Sequence, residues 1–261
     1  LDPKRHTFYQ ELIGVLWWIV ELGRIDIIHD VSKMSRFLAA PREGHLEQVL
    51  HTFAYLKRHP KSKMVFDDTG PPVHLFEFRD YDWSEQYPGA AELLPPNAPE
   101  ARGHQVITTC FVDADHAGCH TTRRSHTGIL IYLQNAPVLW FSKRQNTVEA
   151  STFGSEFIAA RIAVEMIKGF RYKLRMFGIP IDGPTNICCD NNSVVVNSTR
   201  PDSVLKKKHC AIAYHRCRES QAAGVTRWIH EPGDSNLADL LTKSVPGPRL
   251  RDLRTTVLHF G

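Results

Sequence analysis

The stretch that decides the fold is VITTCFVD, residues 106–113, in which β-branched and apolar residues lead into an acid. Such a run predicts a buried β-strand that ends at Asp113. Two further stretches of this kind follow at 127–133 and 138–142, separated by a short turn at 135–137. Because three strands follow one another along the chain and the second connection is short, we predict that they form an antiparallel meander.

Beyond the meander, the pattern alternates between helix and strand. Apolar residues at helical spacing predict a long helix over residues 151–177, which Gly178 ends. The elements predicted after it are a strand at 185–189, a helix from about 192, a helix at 209–222, a strand at 225–230 and a helix at 236–243. This order indicates an α/β protein with a mixed five-stranded sheet and helices packed on it.

The residues before this domain have a different character. Residues 1–65 contain three apolar stripes at helical spacing, which predict three helices. Residues 66–104 are rich in proline and predict a connector with room for one or two strands. We therefore expect a helical segment 1–65, a connector 66–104, an α/β domain 105–245 and a C-terminal tail 246–261.

Composition excludes several classes of protein. Hydrophobic residues make up 42% of the chain and charged residues 23%, so a disordered or fibrous protein is excluded. The longest uncharged apolar run, residues 12–20, is far shorter than the roughly 20 residues that a membrane-spanning helix needs. No signal peptide opens the chain, and Leu1 indicates a fragment of a longer protein. We expect a soluble intracellular protein without membrane contact.

Charge is unevenly distributed along the chain. Residues 105–261 carry 20 Lys and Arg against 13 Asp and Glu, whereas residues 1–104 carry 12 against 15. A basic second half favours a polyanionic partner, because neutralising phosphates releases counterions. A solvated basic surface would explain the same charge, and both interpretations remain open at this point.

The six cysteines are too scattered for a disulfide framework. Cys188 and Cys189 are adjacent, which fits a reducing compartment. Cys210, His215 and Cys217 lie close together in the sequence, as zinc ligands often do. However, the chain has no CxxC pair and this stretch predicts a helix, so the sequence disfavours a zinc site there.

Four acids occur where packing alone would not place them. Asp113 and Asp190 end predicted strands, Glu156 lies beside the apolar stripe of the long helix, and Asp239 lies between Ala238 and Leu240. Polar residues at strand ends are where α/β proteins build sites. Carboxylates aimed at one region would repel one another, and a pair of Mg²⁺ ions would resolve that repulsion. For each acid alone, a helix cap, a turn or a salt bridge remains the alternative.

The second half of the chain contains a series of short motifs. In chain order they are FVDADHAG at 111–118, RRSHTG at 123–128, WFSKRQ at 140–145, TV at 147–148, ST at 151–152, SEFIA at 155–159, CDN at 189–191, KH at 208–209, YH at 214–215, RE at 218–219 and LADLLTK at 237–243. This series resembles the ribonuclease H domain of copia-type retrotransposon polyproteins. Each motif is weak alone, but their number and order make the resemblance specific.

The first part of the chain is similar to the helical thumb segment that follows the reverse transcriptase palm in the same family. The motifs that carry this likeness are YQELIG at 9–14, DI at 26–27, VSKMSR at 31–36 and AYLK at 54–57. No Tyr-x-Asp-Asp turn of a polymerase occurs in the 261 residues, since Asp67 and Asp68 follow Val65 and Phe66. We therefore expect no polymerase activity from this chain.

The resemblance implies a ribonuclease H-like fold and hydrolysis of the RNA strand of an RNA–DNA hybrid, leaving 3′-hydroxyl and 5′-phosphate ends. It implies that Asp113, Glu156, Asp190 and Asp239 are the catalytic residues and bind two Mg²⁺ ions, for which Mn²⁺ could substitute. The implied partners are the hybrid and the polymerase part of the same polyprotein. The implied location is a cytoplasmic virus-like particle or the nucleus.

Other residues receive weaker assignments. His230 is a candidate proton shuttle, and Asp115 is better explained as a turn cap than as a metal ligand. We expect Trp140 to pack in the core. The candidate nucleic-acid contacts are Arg123, Arg124, Lys143, Arg144, Gln145, Asn191, Lys206, Lys207 and Lys208.

Two alternatives to a ribonuclease remain. The same fold could bind hybrid or scaffold the transcriptase with little turnover, although the presence of all four acids argues against this. Another nuclease or an integrase of the superfamily would have a glutamate as its last acid and a His/Cys zinc segment, and the sequence has neither.

Overall fold

The computed structural model describes residues 1–69 and 78–260, so residues 70–77 of the predicted connector lie outside the described residues. Contacts divide the chain into two compact units. The first holds residues 1–65 and the chain from Asp239 onward, and the second holds Phe66–Ala238. None of the helices described is long and apolar enough to cross a membrane.

The first unit begins with the three helices that the sequence predicted, which are confirmed. They are α1 (Pro3–Glu21), α2 (Ile28–Ser35), which follows a 3-10 turn at Ile25–Ile27, and α3 (Glu43–Arg58). The Asp2 side chain caps α1 by accepting a hydrogen bond from the Arg5 amide at 2.9 Å. The buried Tyr9 of α1 donates its hydroxyl to the Met34 carbonyl at 2.7 Å, which joins α1 to α2. A two-residue strand, β1 (Ser62–Lys63), follows α3.

The second unit contains a five-stranded mixed sheet. Its strands are β2 (Thr108–Ala114), β3 (His126–Leu133), β4 (Ala136–Arg144), β5 (Thr185–Cys189) and β6 (Thr226–His230), in the spatial order β4-β3-β2-β5-β6. The β2–β3 and β3–β4 pairs are antiparallel, whereas the β2–β5 and β5–β6 pairs are parallel. The predicted fold class, an α/β protein with a mixed five-stranded sheet and helices, is confirmed.

The turn between β3 and β4 is one residue away from its predicted position. The predicted turn was 135–137, but Ala136 pairs with Leu133 and Pro137 pairs with Tyr132 inside the ladder. Gln134 makes the turn possible by adopting a left-handed φ of 54°. The strand tolerates Pro137 because β4 lies at the edge of the sheet.

Three helices, α4 (Thr152–Met176), α5 (Asn192–Thr199) and α6 (Ala211–Ala222), accompany this sheet. Ser151 caps α4 by accepting a hydrogen bond from the Gly154 amide at 3.2 Å. The apolar stripe of α4 is fully buried in the core with residues of β2, β3 and β5; its members are Phe157, Ala160, Val164 and Ile167. The sheet and α4 therefore form the rigid frame that holds the side chains described below.

The described part of the predicted connector, residues 66–69 and 78–104, contains no strand. The chain from Asp239 onward completes the first unit. It contains α7 (Asp239–Thr242), α8 (Gly247–Val257) and β7 (His259–Phe260), which pairs antiparallel with β1. The helix predicted at 236–243 is shorter than expected. The Asn236 side chain donates to the Val112 carbonyl and accepts from the Ala238 amide, and these hydrogen bonds hold the chain in a turn before α7. The predicted tail holds α8, whose Leu253 and Val257 are buried.

Candidate active site

Two of the predicted acids meet at one edge of the sheet in the second unit. Asp113 is the last residue but one of β2, and Asp190 follows β5 directly. These strands are parallel neighbours in which Val112 pairs with Cys189, so the two acids leave the sheet side by side. A carboxylate oxygen of Asp113 lies within 4.8 Å of one of Asp190.

Glu156 is the third acid at this edge. It lies in the second turn of α4 and is only 4% exposed. One of its carboxylate oxygens lies within 4.8 Å of an Asp190 oxygen and of the Cys189 sulfur. We call Asp113, Glu156 and Asp190 the acid cluster. Helix α4 and strands β2 and β5 therefore bring together three of the four predicted catalytic acids.

The pKa of the Cys189 thiol responds to the negative charge of the acid cluster. Burial raises its pKa well above the ordinary value, and the charges of Glu156, Asp190 and Asp113 raise it further. Asp113 is itself only 2% exposed. A negative potential in a poorly solvated position favours the binding of a cation.

A loop after β6 passes close to Asp190. The Glu231 amide donates a hydrogen bond to the Cys189 carbonyl at 3.0 Å. A Cβ placed on Gly233 would lie 3.5 Å from Asp190 Oδ2, so the backbone of this loop lies close to the carboxylate. The sequence analysis did not identify Gly233, because a single glycine in a polar loop carries no distinctive signal.

His230, the candidate proton shuttle, lies at the end of β6 and is exposed. Its Nε2 lies 3.2 Å from the backbone carbonyl of Asp190. Because a carbonyl only accepts, Nε2 must donate in this hydrogen bond. Nδ1 of the neutral ring is then the nitrogen that can accept a proton.

Asp239 is the first residue of α7 and belongs to the first unit. Its carboxylate is buried, lies 2.6 Å from Lys243 Nζ, and also forms an ion pair with Arg249. The sequence predicted Asp239 in the middle of a helix, but it lies at the start of one. Three residues earlier, Asn236 Nδ2 donates to the Val112 carbonyl at 3.1 Å, directly before Asp113. Sequence analysis missed this role of Asn236.

Asp115 caps a turn, as the sequence indicated. Its amide donates to the His126 carbonyl at 3.0 Å, and its carboxylate accepts a hydrogen bond from the His126 amide. Trp140 differs from its predicted position in the core. It is half-buried on the edge strand β4 and lies outside the cluster of buried core residues. An edge strand has a neighbour on one side only, so its large side chains are less completely covered.

Four of the basic candidates for nucleic-acid contact lie near the ends of β3 and β4. Arg123 and Lys143 are exposed, whereas Arg124 and Arg144 are half-buried. Arg144 donates a hydrogen bond to the Cys119 sulfur at 3.7 Å. Of the four, Arg123 and Lys143 are the most accessible to a ligand.

Two polar candidates have structural roles. Gln145 is 4% exposed, and its Nε2 donates to Thr127 Oγ1 at 3.0 Å and to the Ser155 carbonyl at 2.9 Å. Its side chain therefore joins β3 to α4, and its contact with nucleic acid stays a prediction. Asn191 caps α5, since its Oδ1 accepts from the Ser193 amide at 3.1 Å.

Lys206, Lys207 and Lys208 precede α6. Lys206 and Lys208 are exposed, and Lys207 Nζ lies 5.4 Å from the centroid of the Phe153 ring. A cavity of about 450 Å³ is lined by Phe153, Ser193, Asn197, Val204, Lys206 and Lys207. We call this cavity the lysine pocket. Its lining combines two lysines with two polar and two apolar residues.

The three residues considered as zinc ligands have different surroundings. Cys210 precedes α6, whereas Cys217 is fully buried within that helix and belongs to the core. The His215 ring forms a hydrogen bond with the Tyr87 hydroxyl at 2.7 Å. Sequence analysis missed a different group, Glu149 with His209 and Cys210, because about sixty residues of chain separate its members.

Comparison with known proteins agrees with the motifs. No protein-family model matches the chain. The chain is 26% identical over 242 residues to the retrovirus-related Pol polyprotein from transposon RE1 of Arabidopsis thaliana, an alignment covering 93% of this chain and 14% of the polyprotein. It is 28% identical over 239 residues to the corresponding polyprotein from transposon TNT 1-94 of Nicotiana tabacum, covering 91% of this chain and 15% of that protein.

Among solved structures, the chain is similar to LC11-RNase H1 in complex with RNA/DNA hybrid, with a TM-score of 0.41 and 16% identity over 52% of this chain and 93% of that one. The chain covers only about 14% of the length of the RE1 polyprotein. The resemblance to retrotransposon polyproteins that the motifs indicated is confirmed: the chain is similar to retrovirus-related Pol polyproteins of plant transposons over most of its length.

Proposed function

We propose that this chain is the ribonuclease H part of a retrotransposon reverse transcriptase and hydrolyses the RNA strand of RNA–DNA hybrids. The observation that carries the proposal is the acid cluster. Three carboxylates from β2, β5 and α4 meet at one sheet edge, where they raise the pKa of the Cys189 thiol. Packing does not require three like charges together, so a function that uses them is the better explanation.

The donor set fits a hard divalent cation. Carboxylate oxygens are the ligands that Mg²⁺ and Mn²⁺ prefer, and all three members of the acid cluster are carboxylates. We infer that Asp113, Glu156 and Asp190 hold the metal. When bound, two Mg²⁺ ions would activate a water molecule and stabilise the leaving oxygen of a phosphodiester.

We infer that Asp239 completes this ligand set. It follows Asn236 by three residues, and Asn236 is hydrogen-bonded to the carbonyl directly before Asp113. Three residues of extended chain span at most about 11 Å, so Asp239 has the reach to join the cluster. Lys243 and Arg249, which accompany its carboxylate, would then have to yield to the metal.

The other residues bind substrate and move a proton. Nδ1 of His230 accepts a proton during turnover, while Nε2 stays hydrogen-bonded to the Asp190 carbonyl. Lys206 and Lys207 bind a phosphate of the DNA strand in the lysine pocket, and Arg123 and Lys143 contact the duplex near the ends of β3 and β4. The relatives' names as Pol polyproteins support a partner role for the polymerase part of the same polyprotein.

An assay of substrate specificity tests this proposal. The full chain is incubated with an end-labelled RNA–DNA hybrid and Mg²⁺, beside an EDTA control and matched all-RNA and all-DNA duplexes. We expect cutting of the RNA strand in the hybrid alone, only with metal, and products with 3′-hydroxyl ends. Tight hybrid binding without cutting would overturn the catalytic proposal in favour of a scaffold. Equal cutting of all three duplexes would indicate a different nuclease.

A further inference from the structure

A second group of metal-ligating side chains lies in the same unit and shares no residue with the acid cluster. Glu149 lies in the loop between β4 and α4, while His209 and Cys210 lie in the 3-10 turn Lys208–Cys210 that precedes α6. One ligand atom from each residue lies within 4.8 Å of the other two. We call Glu149, His209 and Cys210 the mixed cluster.

The chemistry of the mixed cluster differs from that of the acid cluster. A thiol, an imidazole and a carboxylate form a ligand set that zinc accepts, whereas Mg²⁺ prefers oxygen alone. The Cys210 side chain is buried, the Glu149 side chain is 11% exposed and that of His209 is 49% exposed. The site is therefore sheltered but open to solvent on the histidine side.

The Glu149 carboxylate is already oriented toward its neighbours. Its Oε2 lies 3.4 Å from His209 Nε2, and its Oε1 accepts a hydrogen bond from Thr147 Oγ1 at 3.3 Å. An outer partner of this kind fixes the direction of a metal-binding carboxylate. One oxygen is thus held by the loop, and the other points to the shared centre.

Gly154 leaves room for this arrangement. A Cβ at this position would lie 2.6 Å from Glu149 Oε2 and 3.4 Å from Cys210 Sγ. Glycine costs about 1 kcal/mol relative to alanine inside a helix, and Gly154 lies in the first turn of α4. The helix therefore carries glycine at the position where a side chain would displace the Glu149 carboxylate.

We propose that Glu149, His209 and Cys210 bind one zinc-class divalent ion, with a water molecule as the fourth ligand. On binding, the S–H bond of Cys210 breaks, a sulfur–metal bond forms and the proton passes to solvent. The ion joins the loop before α4 to the turn before α6. Because α4 carries Glu156 in its second turn, the ion stabilises the helix start that positions the acid cluster.

An ion pair between protonated His209 and Glu149 is the competing explanation. It accounts for the 3.4 Å contact between those two residues but gives Cys210 no role beyond packing. The two explanations therefore make opposite predictions for metal binding by Cys210.

Binding of Co²⁺ alone to the metal-stripped full chain tests the proposal. We expect one ion per chain, with the absorption of a tetrahedral cobalt–thiolate centre, and displacement by Zn²⁺ but not by Mg²⁺. Cys210→Ser should abolish the thiolate absorption. Loss of an outer partner weakens metal binding by at most roughly 100-fold. His209→Gln should weaken Co²⁺ binding by more than this, because His209 is a direct ligand in the proposal.

Cys119→Ser is the matched control, because Cys119 is partly exposed whereas the other five cysteines are buried. Burial raises the pKa of Cys119, but hydrogen bonds from Thr122 and Arg144 outweigh this effect and lower it to about 6. His116 and His120 are its exposed neighbours in sequence. Loss of the cobalt absorption in Cys119→Ser, or its persistence in Cys210→Ser, would overturn the proposal.

A measurement on the unaltered chain removes any dependence on how the variants fold. Thiols are alkylated with and without Zn²⁺, and each modified cysteine is identified by mass spectrometry. We expect Zn²⁺ to slow the alkylation of Cys210 at least about tenfold and to leave Cys119 unaffected. Equal alkylation of Cys210 in both conditions would show that its sulfur does not bind the ion.

Discussion

Glu92 and the acid cluster both lie in the second unit, but they have different charged neighbours. Glu92, in the connector, receives two hydrogen bonds from Arg171 of α4, at 2.7 Å and 3.0 Å, and a further one from Arg175. Burial raises the pKa of Glu92, but the two guanidinium groups outweigh burial and lower it. The acid cluster instead places Asp113, Glu156 and Asp190 beside one another.

This difference indicates a structural role for Glu92, whereas the acid cluster fits the proposed function. Glu92 is neutralised by the chain itself, so its charge attaches the connector to α4 and contributes to stability. The acid cluster places three carboxylates close together, so their mutual repulsion opposes folding and favours the binding of a cation. Removing the Glu92 carboxylate should therefore lower the free energy of unfolding, whereas removing a carboxylate from the acid cluster should raise it.

The largest expected effect is on catalysis. Asp190→Asn should reduce hybrid cleavage by more than about 100-fold, because Asp190 is the member of the acid cluster that lies close to both others. The measurement is the initial rate of cutting of end-labelled hybrid at saturating Mg²⁺. Asp202→Asn, which alters an exposed ion pair with Arg200, is the control and should cut at the unaltered rate. A fully active Asp190→Asn would remove Asp190 from the site.

The next effect is a loss of stability when Glu92 is altered. Arg171 is 2% exposed, so Glu92→Gln leaves a buried guanidinium without its carboxylate and should lower the free energy of unfolding by about 3 kcal/mol. Urea denaturation measures the change. Glu165→Gln, which alters the more exposed pair with Arg216, is the control and should cost less than about 1 kcal/mol. If the two variants lose equal stability, the connector is not held by Glu92.

A smaller effect of opposite sign is expected at the acid cluster. In metal-free buffer at pH 7, Asp190→Asn should raise the free energy of unfolding by about 1 kcal/mol, because it removes one of three neighbouring charges. Adding Mg²⁺ should stabilise the unaltered chain more than the variant, since the metal binds the folded state. A variant less stable than the unaltered chain without metal would show that Asp190 is a structural acid.

The pH dependence sharpens this contrast. The folded pKa of Glu92 is lowered from 4.5, so its contribution to stability is complete above that pH and is lost as the pH falls through the folded pKa. The deficit of Glu92→Gln should therefore shrink in acid. Urea denaturation of the unaltered chain and of Glu92→Gln at several pH values measures this change.

The sequence predicted the acid cluster because each of its members follows a local rule. Asp113 and Asp190 come after apolar runs, and parallel strands end at the same sheet edge. Glu156 lies one residue before a buried member of the α4 stripe, which directs it along the helix toward the sheet. Strand and helix periods of two and 3.6 residues determine these directions without any knowledge of distant contacts.

The connector was not predictable by the same means. Trp83 is 8% exposed and lies 4.8 Å from the guanidinium of Arg218, and Glu92 pairs with Arg171 about eighty residues away. Irregular segments have no period that indicates which side is buried. One signal was available: Arg171 follows Ile167 by four residues, so it continues the apolar stripe of α4, where a charge requires a partner.

The mixed cluster and α8 were also beyond local rules. Glu149 meets His209 and Cys210 only because α4 and α6 pack together, and no spacing in the sequence predicts that contact. The residues of α8 carry few apolar side chains, with only Leu253 and Val257 buried, so their pattern resembles a tail. Sequence patterns therefore determine sites built from strand ends more reliably than sites built from loops.

The smallest expected effect concerns binding at the lysine pocket. Lys206→Ala with Lys207→Ala should weaken hybrid binding and reduce the slope of log affinity against log salt by about 0.9 for each phosphate that the two lysines neutralise. Lys173→Ala, an exposed lysine near the end of α4, is the control and should leave the slope unchanged. If Lys173→Ala flattens the slope as much, the basic charge acts as a diffuse field and the pocket holds no particular phosphate. A reduced slope with unaltered cleavage at low salt would instead separate binding of the duplex from the chemistry of the acid cluster.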